Sequence, residues 1–132
     1  MTARTRVYWI ATALATVAFA AGGVMDLIGG DDIVAQLAAV GYPAHLATVL
    51  GVWKLLGAIA IAAPGLPRLK EWAYAGMMFD LTGAAVAHGV AGDPIAKIVT
   101  PLVLLALVAG SWALRPAGRV LGTIALPTAA RG

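Results

Sequence analysis

Cysteine is absent from these 132 residues, which excludes thiol nucleophiles, disulfide exchange and Cys-ligated clusters within the chain. Charge is scarce too. Asp, Glu, Lys and Arg make up 11% of the residues against 61% hydrophobic, and the mean hydropathy is +0.91. A soluble globule of this size could not bury so much apolar surface, whereas a membrane protein leaves it facing lipid. Also missing are a phosphate-cradling loop ending in Lys-Ser/Thr, a His-Glu-x-x-His metal site and a nucleophile elbow. No catalytic motif therefore marks a complete enzyme, and no metal site is expected. The formal charge of +3 forms no nucleic-acid patch, because the basic residues punctuate the ends of apolar runs.

What is present is an all-α pattern of four apolar spans, at about residues 7–28, 43–63, 71–89 and 95–114. Each is long enough, at ~1.5 Å per residue, to cross a hydrocarbon core of roughly 30 Å. The expectation is a four-transmembrane-helix bundle forming one domain over residues 1–115, with a tail over 116–132. Arg4 and Arg6 precede the first span as in a secretory signal. The uncharged run from Val7 to Met25 is longer than a signal core and lacks a clear small-residue cleavage site, so a retained helix is expected. Pro64-Gly65-Leu66-Pro67 marks a tight turn, and Asp93-Pro94 reads as a helix start with Asp93 as the cap. Pro101 falls inside the fourth span and should kink it. Asp32 can cap a short interfacial helix between the first two spans, with Ile33, Val34, Leu37 and Val40 on one face and Gly41 closing it. Val120–Leu126 in the tail is expected to touch the membrane surface.

The basic residues give an orientation. Arg4, Arg6, Arg68, Lys70, Arg115, Arg119 and Arg131 fall on one side of the predicted spans, with Asp31, Asp32, Asp93 and Lys97 on the other. The positive-inside rule then makes both termini cytoplasmic in a cell (inner) membrane. Gly22, Gly23, Gly51, Gly57, Gly76 and Gly83 suit close helix packing. Tyr8, Trp9, Trp72, Tyr74 and Trp112 lie near span ends and read as interface anchors.

Three polar layers follow. In the middle, Lys54 and Asp80 lie at nearly the same depth in antiparallel neighbours, which predicts an intramembrane ion pair. Such a pair either locks helix registry or faces a cavity as a binding or proton-accepting site. Trp53 adjoins it and is a candidate cavity wall. The outer layer, Asp26, His45 and His88, is a candidate set of proton or quinone contacts, since His titrates near neutral pH. The inner layer is Glu71 with Arg68, Lys70 or Arg6. Nine residues at ~100° each put Glu71 opposite Asp80 around its helix, so the two should not share a pocket.

The run Gly51-Val52-Trp53-Lys54-Leu55-Leu56-Gly57, with Pro67–Gly76, Phe79–Ala84 and His88, resembles the DoxX-like family, and the likeness extends from about Val7 to Leu114. The resemblance implies a small four-helix integral membrane protein with Lys54, Glu71, Asp80 and His88 at the polar positions. The family's namesake is associated with a thiosulfate:quinone oxidoreductase, and other relatives with thiol-stress complexes or membrane chaperone activity. The resemblance thus implies a membrane subunit that binds a quinone-like lipid or serves an oxidoreductase partner. The alternative is a non-enzymatic scaffold, chaperone or assembly factor. Without cysteine, any sulfur step falls to a partner. No cofactor is expected within the chain beyond such a quinone, and membrane lipid, another membrane protein or a second copy are the expected partners.

Overall fold

The structure, a computed structural model, describes residues 1–122 and is helical without strands among them. Helix α1 spans Ala3–Ile28, α2 Gly30–Ala39, α3 Leu46–Ala62, α4 Pro67–Val90 and α5 Ile95–Ala113, followed by a 3-10 turn at Ala117–Arg119. Local chemistry sets these limits. The Thr2 hydroxyl accepts from the Thr5 N–H at 3.2 Å and starts α1. Asp31 and Asp32 lie in the first turn of α2, where their charge suits the helix dipole, so α2 begins before the expected Asp32 cap. Gly41, at φ +84°, closes that helix in the left-handed conformation a side chain would strain. At the α3–α4 turn Gly65 and Leu66 both have positive φ, +69° and +55°. Pro67, with its φ fixed and no N–H to lose, then takes the first position of α4.

The expected second span is shortened at its start. Pro43–His45 forms turns rather than helix, with the Leu46 N–H bonded to the Pro43 carbonyl at 3.1 Å. Asp93 does not cap α5 either. Pro94 occupies the cap position, and the Asp93 carboxylate turns back to His88 at 2.6 Å. The expected tail contact at Val120–Leu126 lies largely outside the described residues, as does Arg131.

Four helices form a closed ring. α1 packs on α3 and α5, and α4 packs on α3 and α5, while α2 rests lightly on α1 and α3. The core is Ala15, Phe19, Ala58, Ile61, Tyr74, Met77, Leu81 and Val108. α1 and α3 approach most closely at two glycines. A Cβ on Gly23 would stand 2.9 Å from the Gly51 carbonyl oxygen, and one on Gly51 would stand 2.9 Å from that of Gly23. Gly57 receives Met77 in the same way across α3–α4. Gly76 and Gly83, by contrast, face no neighbour among the described residues, so the expected packing role does not extend to them.

Two helices, α1 and α5, are long and apolar enough to cross a bilayer, and only 28% and 17% of their apolar windows are buried. Their apolar surface therefore faces outward, unlike that of a soluble core helix. α3 is equally apolar but has 17 residues.

The basic end of the bundle is tied by side chains. Lys70, fully buried, donates to the Ala60 carbonyl at 2.6 Å and to that of Ala63. Arg119 donates to the carbonyls of Ile61 at 3.0 Å and Ala62 at 3.3 Å. Together they fill all four carbonyls that the end of α3 leaves open, and place two cations at its negative pole. Arg119 also donates to the Tyr8 hydroxyl at 3.3 Å and lies over the Trp9 ring. Tyr8 and Tyr74 are not interface anchors. Both are buried, and a hydroxyl chain runs from Tyr74 to Ser111 at 2.7 Å and on to Thr12 at 2.6 Å.

Candidate functional site

An ion pair joins Asp26, in the last turn of α1, to Lys54 at the middle of α3. Lys54 Nζ donates to Asp26 Oδ2 at 2.7 Å, with both side chains largely buried. Asp80 was the expected partner but makes no ion pair with Lys54 in this structure, although it lies within electrostatic reach of both Lys54 and Asp26. The reason is the geometry of the α1–α3 crossing. Gly22 offers no side chain, so the Lys54 stem lies over it, with Cδ 3.7 Å from where a Cβ would stand. Asp26 is one helical turn further along the same face of α1. A flexible four-carbon stem can thus carry its ammonium towards the end of the bundle.

Between α3 and α4 the packing opens into a cavity of about 550 Å³. Lys54 and Asp80 supply its charged groups, Phe19 and Met77 come from the core, and Trp53 and Trp72 are exposed at its walls. The volume lies within the ~300–1,000 Å³ of small-molecule sites, which are likewise apolar with a few convergent polar groups. Asp80 has no hydrogen-bond or ion-pair partner among the described residues. The Lys54 ammonium has three donors, one of them engaged by Asp26. The cavity is therefore lined by an acceptor and by spare donors in an otherwise apolar wall.

The expected outer layer separates. Asp26 belongs to Lys54. His88 Nδ1 meets Asp93 Oδ2 at 2.6 Å, because the Ala91–Gly92 turn folds Asp93 back onto the last turn of α4. That hydrogen bond, helped by the charge of Lys97, holds the Asp93 carboxyl below its ordinary range. His45 is exposed at the start of α3 and makes no side-chain cap. No group of three metal-ligating side chains occurs among the described residues.

Glu71 pairs with Arg115 rather than with Arg68, Lys70 or Arg6. Its Oε1 lies 2.7 Å from Arg115 Nη2, and Oε2 accepts from the Trp112 indole at 3.0 Å. It therefore faces α5, while Asp80 faces the α3 side, as the spacing of the two predicts. The signals for Lys54–Asp26 were in the sequence: Gly22 and Gly23 precede Asp26 by one turn, and Gly51 precedes Lys54 by three residues. Nothing in the sequence marked Ser111 or Arg119 as structural partners.

A chain of outward-facing apolar helices around a few internal charges is the build of a membrane protein. It belongs to the DoxX-like family, whose pattern it matches over residues 10–111. Comparison with curated proteins and comparison with solved structures gave no match.

Proposed function

We propose that this protein is a four-span membrane subunit whose α3–α4 cavity binds a quinone-like lipid, serving an oxidoreductase partner. In this reading α1, α3, α4 and α5 all cross the bilayer. The basic end, with Arg4, Arg6, Arg68, Lys70, Arg115 and Arg119, faces the cytoplasm together with both termini. α3, about 26 Å long, is short for a ~30 Å core, a mismatch that tilt or local thinning accommodates. The observation that carries the proposal is the cavity itself. Exposed Trp53 and Trp72 stand at its walls between α3 and α4, and Lys54 and Asp80 line an otherwise apolar surface.

A quinone carbonyl accepts hydrogen bonds only, and the spare donors of the Lys54 ammonium meet that need. The ring lies against Trp53 and Trp72, and the isoprenoid chain leaves between the helices. Lys54 and Asp80 hold and orient the head, while the electrons and any sulfur chemistry belong to the partner. The two cavity tryptophans make the test direct. Titration of a short-chain quinone into the protein in nanodiscs should quench Trp53 and Trp72 saturably, and a Trp53→Phe/Trp72→Phe variant should lose the saturable part. Linear quenching alone, unchanged by that substitution, would refute the proposal.

The scaffold reading keeps one observation in its favour. The Lys54–Asp26 pair ties α1 to α3, as a registry lock would. It accounts for that contact but leaves the cavity and the unpartnered Asp80 without a role.

A further inference from the structure

The charges around the cavity do not balance. Asp26, Lys54 and Asp80 are two carboxylates and one ammonium, and the ammonium is already bound to Asp26 at 2.7 Å. Asp80 lines the cavity with no donor from the protein among the described residues. Lys54 lines it too, with donors to spare. Lys54 and Asp80 line the same cavity without a direct bond between them, so a polar group of a ligand can satisfy both. With Asp80 ionised, the group that satisfies both sides is one oxygen that accepts from Lys54 and donates to Asp80. A hydroxyl does this; a carbonyl or an ether oxygen can only accept.

We infer that the cavity selects an amphiphile with a hydroxyl-bearing aromatic head, of phenol or quinol type, held by a hydrogen bond donated to Asp80. This deepens the proposed function and rests on its reading of the cavity as a lipid site. Within a quinone-like couple, the inference makes the reduced, hydroxylated form the better ligand. The Asp80 carboxylate is the discriminating group, because burying it against an oxygen without a proton leaves it unpaired. The Lys54–Asp26 pair is the fixed part of the site. It positions the second hydrogen bond without being consumed by it.

Binding alone tests this, without an electron partner. Full-length protein in nanodiscs is titrated with 4-dodecylphenol, with its methyl ether 4-dodecylanisole, and with a decyl-substituted benzoquinone. Trp53 and Trp72 emission is followed in a Trp9→Phe/Trp112→Phe background. The phenol should bind about tenfold or more tightly than the ether, the range expected for a hydrogen bond to a charged group. Asp80→Leu should bring the two within about twofold. The comparison of phenol with ether needs no cavity substitution, so it stands even if Asp80→Leu fails to fold. Equal affinities in the parent protein, with the quinone still bound, would overturn this inference and leave the lipid site intact. A phenol preference that survives in folded Asp80→Leu would also overturn it. Binding of none of the three would overturn both readings.

Discussion

At the scale of single residues, what a charge pairs with depends on how close a backbone lets it come. Lys54 reaches Asp26 because Gly22 gives its stem a bed, while Asp80 on α4 is left facing the cavity. The sequence placed Lys54 and Asp80 in the middle layer and Asp26 in the outer one, so depth alone pointed to Asp80. Helix facing decided otherwise, and depth does not carry it, although Gly22, Gly23 and Gly51 beside Asp26 and Lys54 hinted at the close α1–α3 approach. Asp26→Leu alone should cost on the order of 2–3 kcal/mol in denaturant unfolding, less than the ~3–5 of a fully buried pair because both groups stay partly exposed. Asp26→Leu with Lys54→Met should recover most of that loss. If the single substitution is silent, the pair does not hold α1 to α3. Asp93 supplies a pH test. Its folded-state pKa is depressed by His88, so the stabilisation is present above the unfolded value of about 3.9 and is lost as pH falls through the folded one. Carboxyl ¹³C titration of Asp93 should give a midpoint below that value, and a midpoint above it would contradict the contact.

At the scale of helices, the apolar spans and their punctuation were legible to within a few residues. α5 begins at Ile95, one residue after the start read from Asp93-Pro94, and Pro67 opens α4. The start of α3 was misread because apolar residues beyond Pro43 continue the hydropathy pattern while the backbone makes turns. Polar contacts between helices were the least legible part. Ser111 and Thr12, nearly a hundred positions apart in sequence, carry no pattern that relates them before the ring is assembled. The glycine crossing is the element whose failure should be clearest. Gly51→Ala would place a methyl 2.7 Å from Leu27 Cγ as well as against the Gly23 carbonyl. It should destabilise the fold by roughly 1–3 kcal/mol, measured by thermal unfolding in detergent. Gly76→Ala, which meets nothing within 4 Å among the described residues, should be neutral or slightly stabilising in the same assay.

At the scale of the whole molecule, the ring is closed at its basic end by residues outside the apolar spans. Arg115 and Arg119 looked like topology signals alone in the sequence. In the structure Arg115 is buried against Glu71 and Tyr74, and Arg119 reaches α3 and the Tyr8 hydroxyl on α1. Arg119→Ala leaves the Ile61 and Ala62 carbonyls without their donor. It should speed amide exchange in the last turn of α3 and lower stability by about 1–3 kcal/mol. Unchanged exchange there would show that water replaces the guanidinium at no cost. The two caps also differ in when they can form. Lys70 lies ten residues beyond Ala60, so the α3–α4 hairpin can fill half of its own helix end as soon as it folds. Arg119 lies 58 residues beyond Ile61 and arrives only after α5 has been made. The third helix is thus left open at one end until α5 and the Ala117–Arg119 turn have been made, and a short turn late in the sequence is what finishes a helix from its middle.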